Sequence, residues 1–407
     1  MSTVTPHKKR KKAGRNTSGK KGDIDLSAYT GIAEKHAPIE MLQELPADVQ
    51  EKSISVGIDA EERCRSGSFY QIDHSVLLSS AYVEGLEVMD INGAREKYDW
   101  LSHYWWNAVH ADADRYTALA DQTQHHGYFL RALPGAKVDF PLQACLFMSK
   151  DGLAQNVHNI VIAEEGSELN IITGCAAASA VHTGLHIGIS EFYVKKNARI
   201  TFTMIHNWSE QMVVRPRSAM IVEENGLFMS NYICMKPVKD LQMYPTAVCA
   251  GENATVRFNT VVLAGEGATM DIGSRVFLRA KNSRAEIVSR ALTRGGDIIA
   301  RGHLIGEVPG VKAHLECRGL MLSDKGTIHA IPELEGRADN IDMSHEAAVG
   351  KIAEEEIHYL MARGLSSDEA TSAIVRGFLD IEIKGLPAHL AEEVKKAVTM
   401  ENDLPLF

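Results

Sequence analysis

Between residues 140 and 345 the chain repeats short runs rich in Val, Ile, Thr and Phe, separated by turns built on Gly or Asn and a small residue. These turns stand at Gly251-Glu-Asn-Ala, Gly265-Glu-Gly-Ala, Ala280-Lys-Asn-Ser, Arg294-Gly-Gly-Asp, Pro309-Gly-Val, Ser323-Asp-Lys-Gly and Glu335-Gly-Arg-Ala. Nearly all of them fall 14 or 15 residues apart. Earlier turns, at Glu164-Glu-Gly-Ser, Lys195-Lys-Asn-Ala and Glu223-Glu-Asn-Gly, lie nearer 30 apart. A fixed period of strands without intervening helices describes a solenoid, in which each coil buries its apolar face only against its neighbours. Two strand–turn units per coil suit a β-helix better than a closed barrel, and a β-sandwich would not require such regular turns.

The flanks read differently. Residues 23–139 are expected to be mostly helical, with short amphipathic helices from Ile39 to Leu45 and after Pro46. Tyr104-Trp105-Trp106 reads as packing aromatics. Gly174 and Cys175 stand near an expected turn, where the thiol would be accessible. After His345 the period returns to helical. A helix over Ala347–Arg363 is stopped by Gly364, a left-handed cap. A capping box, Ser366-Ser-Asp-Glu369, opens a second helix, and Pro387 opens a third. This divides the chain into a disordered basic tail (1–22), an N-terminal mostly helical region (23–139), a β-helix core (140–345) and a C-terminal helical domain (346–407).

Bulk properties exclude several functions. The first 22 residues carry eight Lys or Arg and no acid, leaving 35 basic against 53 acidic residues in the remainder. An acidic body with a short basic tail is a poor nucleic-acid binder. No apolar run approaches the ~18–20 residues of a membrane span. Six scattered cysteines, Cys64, Cys145, Cys175, Cys234, Cys249 and Cys317, fit reduced thiols in a cytoplasm rather than a disulfide framework. With no CxxC pair, neither a preformed zinc site nor a ferredoxin-type cage is expected. The tail's Gly14-Arg-Asn-Thr-Ser-Gly19-Lys20-Lys21 misses a nucleotide loop, because Lys21 replaces the magnesium-binding Ser or Thr and no strand precedes it. His345-Glu346-Ala-Ala-Val349 fails as a zinc-protease helix because Val349 replaces the second His.

One spacing is suggestive. His345 and Glu346 follow Cys317 by 28 and 29 residues, about one coil, so the three can face one surface of adjacent coils. A thiolate, an imidazole and a carboxylate together suit iron and sulfide. The bland alternative is that Cys317 is a buried small hydrophobe, as most lone cysteines are.

Several elements together resemble the SufB/SufD family of iron–sulfur cluster assembly scaffolds. They are Gly127-Tyr-Phe-Leu-Arg131 with Pro134-Gly-Ala-Lys-Val138, His158-Asn-Ile-Val-Ile-Ala-Glu-Glu-Gly166, Gly174-Cys175 and His206-Asn-Trp208. Ser344-His-Glu-Ala continues the resemblance through Tyr359, Gly364, Glu369 and Gly377-Phe378, so it runs from about Gly57 to the C-terminus.

The resemblance implies a right-handed parallel β-helix flanked by N-terminal and C-terminal α-helical segments. It implies a non-enzymatic scaffold for de novo cluster assembly, on which a transient iron–sulfur cluster is built and passed to apo-protein acceptors. A SufC-like ATPase would dock on the C-terminal helices and bind the ATP. Cys317, His345 and Glu346 fall on the positions associated with cluster assembly and metal ligation. Cys175 corresponds to a cysteine that accepts sulfur from a donor, and Trp208 lies on an internal relay. Two positions depart from the SufB pattern: Ser344, where an acid is usual, and His206, where Gln is common. With its short N-terminal region, the chain looks like the scaffold of a minimal SufBC-type system, working as a homodimer or with a SufD-like paralogue. The runner-up is a SufD-like structural partner that carries neither sulfur nor cluster. A carbohydrate-active β-helix enzyme is a third reading, but the acids lie mainly in turns rather than converging on one face.

Overall fold

The computed structural model describes residues 24–379, so the tail and the helix expected at Pro387 lie outside the described residues. From Tyr128 onward the chain crosses alternately between two sheets and winds a parallel β-helix of about eight turns. The expected two strands per coil are therefore present. Strands one coil apart pair in register: Thr255, Arg284, Lys312 and Asp342 open four successive strands of the first sheet and lie side by side.

The period has a backbone cause. One family of turns puts a left-handed residue at each crossing, occupied by Asn197, Asn225, Asn253, Asn282 and Asn340 at φ 55–59° and by Gly166 and Gly310 at φ 71° and 82°. Asn and Gly tolerate this region better than other residues. The asparagines also stack: the Asn225 amide donates to Asn197 and the Asn253 amide to Asn225, both at 2.9 Å.

Alternate residues of each strand fill the lumen between the sheets. Phe192, Phe202, Phe228 and Phe258 form an edge-to-face stack there, continued by Leu315 and Cys317. The outer face of the first sheet is covered by Leu42, Leu45, Val56 and Ile58 from one flank and Val375 and Leu379 from the other. On the second sheet's outer face, the wholly buried Glu191 accepts the Trp106 and Val109 backbone N–H groups at 2.8 and 3.1 Å and meets His158 Nε2 at 2.9 Å. Trp105 stacks on His158 with ring centroids 4.0 Å apart, so this aromatic cluster is packing, as expected.

Two expectations change. The N-terminal region holds four strands, Gly67–Ile72, Ser75–Ala81, Leu86–Asp90 and Tyr128–Ala132, beside short helices at Ala47–Ile54, Ile91–Lys97 and Arg115–Thr123. Gly67–Ile72 and Tyr128–Ala132 pair in parallel with strands of the β-helix, so the solenoid begins before residue 140. Strands of five to seven residues carry little periodicity of their own, and pairing with a neighbour decides their state. At the other end, strand Asp342–Lys351 runs past His345, and the helix starts only at Glu354. Ala347 and Ala348 favour helix, but pairing with Lys312–Met321 overrides that preference. Helices Glu354–Met361 and Ser367–Leu379 follow, joined through Gly364 at φ 101° and the Ser366–Glu369 box, in which the Ser366 N–H donates to Glu369 at 2.8 Å. No described helix is long and apolar enough to cross a membrane.

Candidate functional site

Cys317 sits in strand Lys312–Met321, beside Ser289 on one neighbouring strand and Ala347 on the other. Ala313, Leu315 and Cys317 alternate into the lumen, and Cys317 is buried. Burial pushes its thiol above the usual range. His345 is the register partner of Leu315, so it shares the lumenal face with Cys317, one strand across and two residues back. That offset separates the two Cα atoms by roughly 8 Å. His345 is nevertheless exposed, because its strand is the last of the sheet and nothing among the described residues closes the coil.

Glu346, the next residue along, points to the opposite, outer face, where it lies beside Glu316. Arg318 donates to it at 3.2 Å and also meets Glu316 at 2.7 Å, and Arg290 meets Glu316 at 2.7 Å. The structure thus brings Cys317 and His345 to one face and leaves Glu346 on the other. The expectation that all three share a face fails because adjacent strand residues alternate. Among the described residues, no three His, Cys, Asp or Glu side chains gather closely enough to hold a metal ion.

Cys175 corrects a second expectation. It lies inside strand Glu168–Ala177, wholly buried in the lumen, rather than accessible at a turn. Gly174 was the misleading signal. It serves packing, since a Cβ there would stand 2.5 Å from Val56 Cγ2. Burial holds the Cys175 thiol far above its ordinary range.

Its register neighbour on strand Arg199–Asn207 is His206. Trp208, just beyond that strand, is wholly buried, with ring centroids 5.0 Å from His186 and 5.9 Å from His206. His206 Nδ1 lies 2.9 Å from the Tyr232 hydroxyl, and His186 Nδ1 lies 2.9 Å from Gln155 Oε1. Burial depresses both imidazoles, His186 to about 3 and His206 well below the usual value. Tyr232, Thr260, Ser289 and Cys317 then stand side by side on four successive strands, all on the lumenal face. A polar line inside the solenoid therefore joins Cys175, through His206 and Tyr232, to Cys317. Five strand spacings separate the two cysteines, roughly 24 Å at the usual distance between strands.

Sequence reasoning missed Tyr232, Thr260 and Ser289. Strand alternation was the available signal: each occupies a lumen-facing position where an apolar residue is the rule.

The chain matches the family model described as SUF system FeS cluster assembly, SufBD core domain, over residues 146–378. An iron–sulfur cluster assembly SufBD family protein of Archaeoglobus fulgidus is 56% identical over 87% of this chain and 96% of the relative. One from Methanothermobacter thermautotrophicus is 50% identical, covering 93% and 94%. Another from Pyrococcus horikoshii is 32% identical, covering 91% and 84%.

Proposed function

The chain belongs to the SufBD family of iron–sulfur cluster assembly proteins, and from that premise we propose that it is a SufB-like scaffold on which the cluster is built. The observation that carries this reading is the placement of Cys317 and His345 on one lumenal face at the last two coils, at the open end of the β-helix. Sulfur accepted at Cys175 moves along the polar lumen, past Trp208 and Tyr232, to Cys317. Iron enters at His345, whose imidazole is a borderline ligand suited to Fe(II). Glu346 lies outside the lumen and becomes a ligand only by leaving Arg318; otherwise it fixes the end strand through that ion pair.

A single chain offers too few ligands, so the site is completed between two chains meeting at their open ends. Among the described residues, the final strands Thr327–Gly336 and Asp342–Lys351 each leave one edge unpaired, and unpaired edges are templates for pairing with another chain. A homodimer, or a pair with a SufD-like paralogue, would bring two sets of Cys317 and His345 together. The helix pair supplies the docking surface for a SufC-like ATPase in the cytoplasm: Tyr359 and Met361 are exposed, while Val375 and Leu379 hold the second helix to the sheet. A SufD-like structural partner would not need a lumenal thiol aligned with His345.

Anaerobic reconstitution of the complex with its ATPase, iron and sulfide tests the reading. Cys317→Ala is expected to lose at least tenfold in bound iron and acid-labile sulfide, whereas Cys64→Ala, at an exposed thiol, keeps the wild-type content. Full cluster content in Cys317→Ala would sink it.

A further inference from the structure

On the later coils, the apolar cover of the first sheet's outer face reaches Val261, Leu263, Leu292 and Leu320, all in the second half of their strands. The first halves of the same strands line a groove instead. It has a volume of about 560 Å³ and crosses five strands, from Leu227 and Met229 over Arg257, Arg284 and Lys312 to Asp342. These side chains point outward, because their neighbours Val256, Ala285 and Ala313 fill the lumen. We propose that the groove binds this chain's own Glu401-Asn-Asp403-Leu-Pro-Leu-Phe407, a stretch outside the described residues.

The middle of the groove is positive. Arg284 is exposed and has no ion-pair partner among the described residues. Lys312 meets Asp342 at 3.6 Å, but the two side chains are 64% and 74% exposed, so that pair holds the ammonium only loosely. The other acid of the groove, Glu286, already meets Arg257 at 3.3 Å. His314 Nδ1 lies 2.9 Å from the Ser344 hydroxyl. Leu227 and Met229 make the opposite end apolar. Such a surface fits a ligand with one or two carboxylates followed by apolar side chains.

The stretch has that order: Glu401 and Asp403 come first, then Leu404, Leu406 and Phe407, with no base among them. Extended, Glu401 to Phe407 covers roughly 20 Å, and the five strands of the groove cover roughly 19 Å. Pro405 suits an extended chain, since its ring fixes φ and it donates no backbone hydrogen bond. With Glu401 at Lys312 and Asp403 at Arg284, the distance on to Leu406 is roughly 10 Å, which equals the two strand spacings from Arg284 to Leu227. The reach also closes. Leu379, the last described residue, lies in the same apolar cluster as Leu320. His314 stands six residues back along that strand, roughly 20 Å away. The 21 residues between Leu379 and Glu401 cover about 32 Å as helix and more when extended.

Tethering makes weak contacts sufficient. Two exposed ion pairs and a short apolar contact give a free peptide only modest affinity. Held by a linker of this length, however, the stretch is present at an effective concentration on the order of 1 mM. A peptide whose Kd is about 0.1 mM in solution then fills about nine grooves in ten as part of the chain. Bound there, it ties the strands of the groove, including the last one, Asp342–Lys351, to the C-terminal helices. An added copy of the peptide has to compete with the chain's own.

The test titrates a fluorescently labelled synthetic peptide of residues 400–407 with the full chain and follows anisotropy. Glu401→Lys with Asp403→Lys releases the chain's own stretch, so this variant should bind the peptide about tenfold more tightly than wild type, the ratio set by the local concentration. Adding Arg284→Glu and Lys312→Glu should weaken that binding at least tenfold. A peptide carrying the two Lys replacements should then bind the fourfold variant, which shows that its groove is still folded. Equal affinity for wild type and the released variant would leave the groove to a partner from outside and overturn the proposal. So would no binding to the released variant, or no effect of Arg284→Glu and Lys312→Glu, or a loss that the reversed peptide does not recover. Competition that strengthens with protein concentration would assign the stretch to a second copy and overturn it as well. Neither iron nor sulfur enters this readout, so it succeeds or fails separately from cluster assembly.

Discussion

At the residue scale, the lumen is built around polar side chains that stay neutral because they are buried. His186 is pushed down to about 3 by burial and His206 is lowered for the same reason, as is His158 on the outer face of the second sheet. The unfolded chain takes up these protons near pH 6.5, whereas the folded one resists doing so. Stability is therefore fully present above about pH 6.5 and falls as pH drops below it. Each such histidine contributes a slope of up to about 1.4 kcal/mol per pH unit. Denaturant titrations from pH 7 to 4.5 should show this loss, and His186→Asn should flatten the curve; an unchanged slope would contradict the account. Residues of this kind were only partly legible. Cys317 and His345 could be singled out from a one-coil spacing and a family resemblance, but the side on which Glu346 falls follows from strand register, which extends past His345 to Lys351. Cys175 was misplaced because a glycine that makes room for Val56 looks, in sequence, like a glycine that makes a turn.

At the element scale, the turn spacing was the most readable part of the chain, because each crossing demands a left-handed residue and few types accept it. Asn282, at φ 58°, can be replaced by Gly at little cost, while Ala there should cost about 1–2 kcal/mol. Gly251 is required for a different reason. A Cβ at that position would lie 1.9 Å from the Glu224 backbone nitrogen, so Gly251→Ala should cost about 3 kcal/mol, the upper range for overpacking. Thermal melts of the three variants check the order Asn282→Gly, Asn282→Ala, Gly251→Ala, from most to least stable. The short strands before residue 140 were not legible, since five to seven residues without a repeat look alike as strand or helix until a partner is present. The second C-terminal helix could be placed from its capping box, whereas the start of the first was hidden by alanines held in an edge strand.

At the scale of the whole molecule, the solenoid is covered along both outer faces and, among the described residues, left open at one end. Leu334 and Val349, on the last coil, are exposed apolar residues, where an isolated solenoid would carry a polar cap. On the proposed reading, that asymmetry, together with a lumenal line leading toward the open end, makes the end the place where sulfur and iron meet. The same reading makes cluster binding a property of two chains, because the described residues of one chain gather no three metal-ligating side chains. Native mass spectrometry of the anaerobically reconstituted protein measures this directly, by counting scaffold chains per bound cluster. The account predicts that cluster iron and sulfide appear only on species with two scaffold chains and vanish in Cys317→Ala; a single chain carrying a complete cluster would contradict it.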